Sequence, residues 1–280
     1  MIGLVTDSNA QLPAELRDRY AVSVVPLTIV VDGIAYKEGV DLDADACYDA
    51  LERTATVSTA SPSPGEVLRA YEAMARAGVD GIVSVHVGSN ASGTLNAVKL
   101  AADDSPVPVE IVDTGTASFA IGCCVWAAGD ALAAGADAEA AADAARAAAT
   151  RVGNVFVVGG LDRARRGGRL SRDVADARDV TDGADVPVLA LVDGVMRQLG
   201  SVGSVDSAVT AMADHVGAHA LGGQLRVGVG DARAEDAAGA LAARLREVPG
   251  VAEVVRYQVG PSVVVHTGLG TVGACYFPAR

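Results

Sequence analysis

The chain has 280 residues, half of them apolar and a fifth charged, with a formal net charge of −13. That length calls for one large domain or two moderate ones, and two would enclose a cleft between them. The apolar fraction excludes a disordered chain, and the acidic balance argues against nucleic acid or anionic membrane surfaces as partners.

The first predicted element is a strand over Ile2–Thr6, entered directly from Met1 without a basic or apolar leader. No apolar stretch reaches bilayer length, so a cytoplasmic location is expected. Thr6, Asp7 and Ser8 follow at once, where loops at the carboxyl ends of parallel strands collect ligands; a simple cap or turn is the alternative. A helix is expected over Pro13–Tyr20, a strand over Val22–Val30 and a helix over Ala44–Glu52.

The stretch from Thr59 to Glu66 reads Thr-Ala-Ser-Pro-Ser-Pro-Gly-Glu. Ser63, Pro64 and Glu66 form a capping box that opens a helix over Pro64–Arg76. The box accounts for Ser63 to Glu66 but not for Thr59, which is expected in a strand-to-helix loop and is a candidate ligand contact. A strand over Gly81–Val87 leads into Ser89-Asn90-Ala91-Ser92-Gly93-Thr94 and a helix to Ala102. Small hydroxyl residues again fall where a helix start leaves N–H groups unpaired and favours an anion, although Ser92 as an ordinary cap is the simpler reading. A strand over Val109–Val112 and helices over Phe119–Ala134 and Ala138–Thr150 complete the pattern of a parallel sheet covered by helices. Cys123 and Cys124, like Cys47 and Cys275, form no CxxC pair and read as buried apolar residues in a reducing compartment.

From Asn154 the strands crowd together, at Val155–Gly160, Pro187–Val192, Gln198–Val202, Gln224–Val229, Val254–Val259 and Ser262–Thr267. Helices are expected over Asp206–Ala218 and Ala234–Arg246. This texture indicates a second, smaller mixed-sheet α/β lobe, so the expected domains are 1–150 and 151–280. Arg165, Arg166 and Arg169 form a basic cluster in an acidic chain, either a solvated loop or a docking patch for an acidic partner. Gly268, Gly270 and Gly273 match GxGxxG, but only seven residues follow, leaving no room for the helix and acidic residue of a dinucleotide site. The glycines are read as a tight turn after a strand that ends at His266, itself either a core histidine or a ligand.

Most enzyme signatures are missing. There is no GxSxG elbow, no phosphate-loop lysine, no HExxH and no zinc-spaced Cys/His cluster, so neither metal nor organic cofactor is expected. Ser92, His266 and Asp7 could still assemble as nucleophile, base and orienter, which leaves an esterase or acyl-transfer enzyme open.

Taken in order, these segments resemble the DegV family of lipid-binding proteins, which includes the carrier subunits of bacterial fatty acid kinase. The resemblance runs through Val5-Thr6-Asp7-Ser8, Val25-Pro26-Leu27, Asp32-Gly33, Thr59 with Pro62 to Glu66, and Ser92-Gly93-Thr94. It continues through Val112-Asp113-Thr114, Arg166-Gly167-Gly168-Arg169-Leu170-Ser171 and His266-Thr267-Gly268, and so covers essentially the whole chain. It implies two α/β lobes with a lipid tunnel between them that buries one long-chain fatty acid. The carboxylate would be held by Thr59, Ser92, His266 and Thr267, with Thr6, Asp7, Ser8, Gly93, Thr94 and Gly268 nearby. Burying a sixteen-carbon chain at ~0.8 kcal/mol per methylene would contribute ~10 kcal/mol before entropy costs. The resemblance further implies a non-enzymatic carrier that presents the acid to an ATP-dependent kinase through Arg165, Arg166 and Arg169; a lipid sensor module is the other reading. The family's second basic cluster reads Ser201-Val202-Gly203 here, Ala60 and Ser61 replace the usual Ser and Gln, and Leu269 replaces a proline.

Overall fold

The computed structural model describes residues 1–53, 55–160, 186–192 and 195–279. The first half runs β1 (Ile2–Asp7), α1 (Ala14–Arg19), β2 (Ser23–Val25), β3 (Thr28–Val31), β4 (Ile34–Lys37), α2 (Ala44–Glu52), β5 (Val57–Ala60) and α3 (Pro64–Arg76). It continues with β6 (Gly81–His86), α4 (Thr94–Asp103), β7 (Val109–Asp113), α5 (Phe119–Ala133) and α6 (Ala138–Ala149). The second half runs β8 (Gly153–Val157), β9 (Val186–Val192), β10 (Val195–Val202), α7 (Val205–Ala220), β11 (Leu225–Asp231), α8 (Glu235–Glu247), β12 (Val251–Gln258), α9 (Pro261–Thr267) and β13 (Val272–Pro278).

The fold is two-lobed and α/β. β2, β1, β6 and β7 lie in that order in a parallel sheet. Every residue of β6 is buried, as a central parallel strand covered on both faces requires. The second lobe holds a six-stranded mixed sheet in the order β10-β9-β8-β13-β11-β12. The chain passes from one sheet to the other between Ala149 and Gly153.

α5 joins the lobes. Its sequence FAIGCCVWAAGDALA is apolar apart from Asp130 and twelve of its residues are buried, the pattern of a helix enclosed on nearly every side rather than lying on a surface. Trp126 meets Phe277 of β13 edge-on at 5.6 Å, and Phe119 stacks on Tyr257 of β12 at 4.5 Å. Cys123, Cys124 and Cys275 are buried and free. Burial pushes the Cys124 and Cys275 thiols up to about 12, away from thiolate chemistry.

Three readings need correction. The single strand expected over Val22–Val30 is broken at Pro26-Leu27: Ser23–Val25 joins the parallel sheet, while Thr28–Val31 starts a separate antiparallel sheet in the order β4-β3-β5. β4, β5 and β13 were not anticipated. Ser262–Thr267, expected as a strand because of its Val-Val-Val run, is helix α9, opened by Pro261 in its first turn and closed by Gly268 at φ +82°. β-branched residues favour a strand only weakly, and here Val264 and Val265 pack into a cluster with Ile29, Tyr48 and Leu51 that a helix can fill.

Candidate functional site

The lobes enclose a cavity of about 110 Å³ that opens at a mouth. Its wall comes from both lobes. Asn9, Ala91 and Thr116 to Ser118 belong to the first; Phe156, Leu191, Met196, Tyr257 and α9 belong to the second. Among the described residues that line it, none is Asp, Glu, Lys or Arg. Its polar groups are amides, hydroxyls and the half-buried imidazole of His266.

Several of these groups can donate to an anion. α5 begins at the cavity wall, with Ser118 as its cap, and no side chain caps its first N–H groups. Fifteen residues of aligned peptide dipole therefore present their positive end there. Ser118 holds φ +61°, a left-handed conformation that is unusual for a serine, and its N–H donates to Asn9 Oδ1 at 2.9 Å. Asn9 Nδ2 in turn donates to Ser262 Oγ at 3.1 Å, so the turn after β1, the start of α5 and the start of α9 are bound together at the cavity. Behind them Glu38 accepts the Ser262 N–H at 2.8 Å and the Ser8 hydroxyl, while Gln11 accepts the Gly260 N–H.

The expected site residues fall into three groups. His266 and Thr267 line the cavity. Gly268 closes α9 and Gly270 follows in a turn after a helix, not after a strand as expected, while Gly273 already lies in β13 opposite Gly230. A Cβ at Gly159 would lie 1.5 Å from the Leu269 carbonyl oxygen, so this turn packs backbone on backbone. Ser92 is beside the cavity residue Ala91, and its Oγ lies 3.2 Å from Ser61 Oγ and 2.9 Å from Thr94 Oγ1. The two hydroxyl loops therefore do meet, but through Ser61. Thr59 lies within β5 opposite Ile29, not in a loop, on a strand that packs against α9. Gly93 caps α4, and the capping box of Ser63 and Glu66 is present.

Thr6, Asp7 and Ser8 do different work from that expected. Asp7 is fully buried and accepts from His86 Nδ1 at 2.9 Å and from the Val87 N–H at 3.0 Å. His86 Nε2 lies 2.7 Å from Ser84 Oγ, and Ser84 Oγ lies 2.8 Å from the Tyr71 hydroxyl. This Asp-His-Ser chain has the connectivity of a hydrolytic triad, yet all three residues are wholly buried and none lines the cavity. The orienter proposed for His266 serves His86 instead. Ser8 joins the Glu38 cluster, and Thr6 is buried in the sheet. Sequence reading missed Asn9, Ser118 and Ser262; the only signal for them was position, two at helix starts and one after a strand.

Arg165, Arg166 and Arg169 lie outside the described residues. No group of three or more His, Cys, Asp or Glu that could hold a metal ion occurs among the described residues, and no described helix is long and apolar enough to cross a membrane.

The sequence profile of the DegV family, described as uncharacterised proteins, matches residues 1–279. The chain belongs to the DegV family. DegV domain-containing proteins of Streptomyces coelicolor and Mycobacterium tuberculosis are both 36% identical to it, each alignment covering 97% of this chain and 96% and 95% of the respective relative. Among solved structures, one reported as the fatty acid binding of a DegV family protein from Thermus thermophilus has TM-score 0.90 and 29% identity, covering 99% of both chains. DegV from Bacillus subtilis, at 23% identity and TM-score 0.86, shares the fold. Both DegV lobes, and the way they face each other, are thus common to the comparison.

Proposed function

We propose that this chain is a carrier, acting in the cytoplasm, that buries one long-chain fatty acid in the cavity between its lobes. The observation that carries the reading is the cavity itself: apolar over much of its wall, free of charged side chains among the described residues, and supplied with neutral hydrogen-bond donors. An apolar chain gains by leaving water there. A carboxylate placed there needs donors for each lone pair, since leaving it unpaired costs several kcal/mol. His266 supplies a donor from α9, Thr267 stands beside it with a hydroxyl that would turn from the Val263 carbonyl, 3.4 Å away, to join it, and the start of α5 adds its dipole. Ser92, with Thr94 and Ser61, extends the hydroxyl set next to Ala91, and Thr59 stands on the strand that supports α9. The 29% identical Thermus protein, reported as binding fatty acid, supports the same reading.

Purified protein from a lipid-containing host should carry one long-chain acid per chain by native mass spectrometry. An empty protein that also fails to take up such acids after delipidation would end the proposal. Ser92→Ala and His266→Ala should each weaken binding about tenfold, the usual cost of removing a donor to a charged group. Unchanged affinity would remove that residue from the carboxylate site.

The finer part of the proposal is that the bound acid is presented to a separate ATP-dependent kinase, with Arg165, Arg166 and Arg169 as the docking patch. Acyl phosphate formed on mixing with the host kinase, and lost in an Arg169→Ala variant that still binds lipid, would support it. Acyl phosphate formation unaffected by Arg169→Ala would exclude that docking patch.

A further inference from the structure

Asn154 is a polar residue in a stretch of cavity wall otherwise made by Phe156, Leu191, Met196 and Cys275. It lies on β8, which pairs with β13 in regular antiparallel register, Asn154 opposite Cys275. On the other side β8 pairs with β9 at a single position, Phe156 opposite Leu189. Continued by two residues, that register puts Leu191 opposite Asn154, but the strands form no ladder there. Instead Asn154 Oδ1 accepts the Leu191 N–H at 2.5 Å and Nδ2 donates to the Leu191 carbonyl at 3.1 Å.

A carboxamide offers the same acceptor and donor as a peptide group. The side chain therefore closes both hydrogen bonds of the missing ladder step, in the place where direct backbone pairing would hold the strands about 4.8 Å apart. Without it the Leu191 N–H and carbonyl would be left unpaired beside an apolar cavity, which is costly. Phe156, Leu191 and Met196 wall the cavity beside this bridge, the last an adaptable thioether suited to an irregular apolar surface. The Asn154 oxygen and one of its N–H groups are already committed, and the apolar wall around them suits a hydrocarbon rather than a carboxylate, which needs several donors.

We propose that Asn154 is a specificity-determining residue: by propping β8 away from β9 it makes the room that the distal part of the acyl chain occupies, and so sets the longest chain accepted. This deepens the fatty-acid reading and rests on it. The test is the affinity of delipidated protein for saturated acids of twelve to twenty carbons, measured by displacement of a fluorescent fatty acid. In Asn154→Val the prop is gone and that room closes, so the longest acids should lose about tenfold, the value of burying roughly two methylenes, relative to the shortest. Asn154→Gln keeps the amide on a longer linker and should shift preference toward the longest acids. Where the valine variant fails to fold, the glutamine variant decides alone. An unchanged length profile, or a loss equal at every length, would overturn the role of Asn154. Wild-type protein that binds no acid of any length would instead overturn the fatty-acid reading.

Discussion

Glu38 sits between Ser8, just after β1, and Ser262, at the start of α9. Burial raises its pKa; the Ser262 N–H and the Ser8 hydroxyl pull it back in part, and the nearby charge of Asp7 adds to the rise. A carboxyl whose folded pKa lies above its unfolded one contributes stability that is complete below about pH 4.3, the ordinary glutamate value. That contribution is lost as pH climbs through the raised folded value. Glu38→Gln, which can still accept the Ser262 N–H, should therefore remove a component of stability that wild type loses above about pH 4.3. Denaturant unfolding of both proteins across that range checks this, and parallel curves would contradict it. The residue was invisible in sequence because its partner Ser262 is 224 positions away. Asp7, by contrast, was singled out in the sequence, but its pairing with His86 was not, since it depends on β1 lying beside β6.

Elements that bury one face or carry local caps were readable. α2 and α3 have the expected limits, Ala44–Glu52 and Pro64–Arg76, because Asp43 and the box of Ser63 with Glu66 mark where each begins. Glu66 bears the mark of that role: desolvation opposes it, but Lys37 and the Ser63 N–H and hydroxyl hold its carboxyl down to about 2. α9 was misread because its sequence satisfies a strand as well as a helix, and only its neighbours choose between them. β11 makes a similar point about packing. A Cβ at Gly228 would lie 2.1 Å from the Phe119 ring, and one at Gly230 would lie 2.2 Å from the Tyr257 ring. These two rings are the stacked pair that joins α5 to β12. Gly228→Ala should destabilise the protein by roughly 1–3 kcal/mol, since a rigid ring must move to admit the methyl group. A midpoint of chemical unfolding equal to that of wild type would show that the stack is dispensable.

At the scale of the molecule, the lobes share their apolar cores. Val255, Cys275 and Phe277 of the second lobe belong to the cluster built around α5, and Ala232, Val259, Val264 and Val265 belong to the one built on Ile29 and Tyr48. Around this contact Arg226 reaches Asp130, which also accepts from Tyr20 at 2.6 Å, and Arg19 reaches Glu253 at 2.9 Å. We propose the break near residue 150 as a topological boundary only. Residues 1–152 expressed alone would expose Phe119 and the face of Trp126 that Phe277 covers, and are expected to aggregate or to bind a hydrophobic dye with no sharp melting transition. A soluble fragment with a cooperative melt would establish it as an independent domain. The sequence by itself determined the α/β class, the two-lobed organisation, most helix limits and the family, because periodicity and capping are local and the matched segments span the chain. Only the tertiary structure decided which hydroxyls meet, that Asp7 serves His86, that Asn154 bridges β8 to β9 and that α9 is a helix. Each of these depends on groups far apart in the chain, brought together when the lobes bury their shared apolar surface.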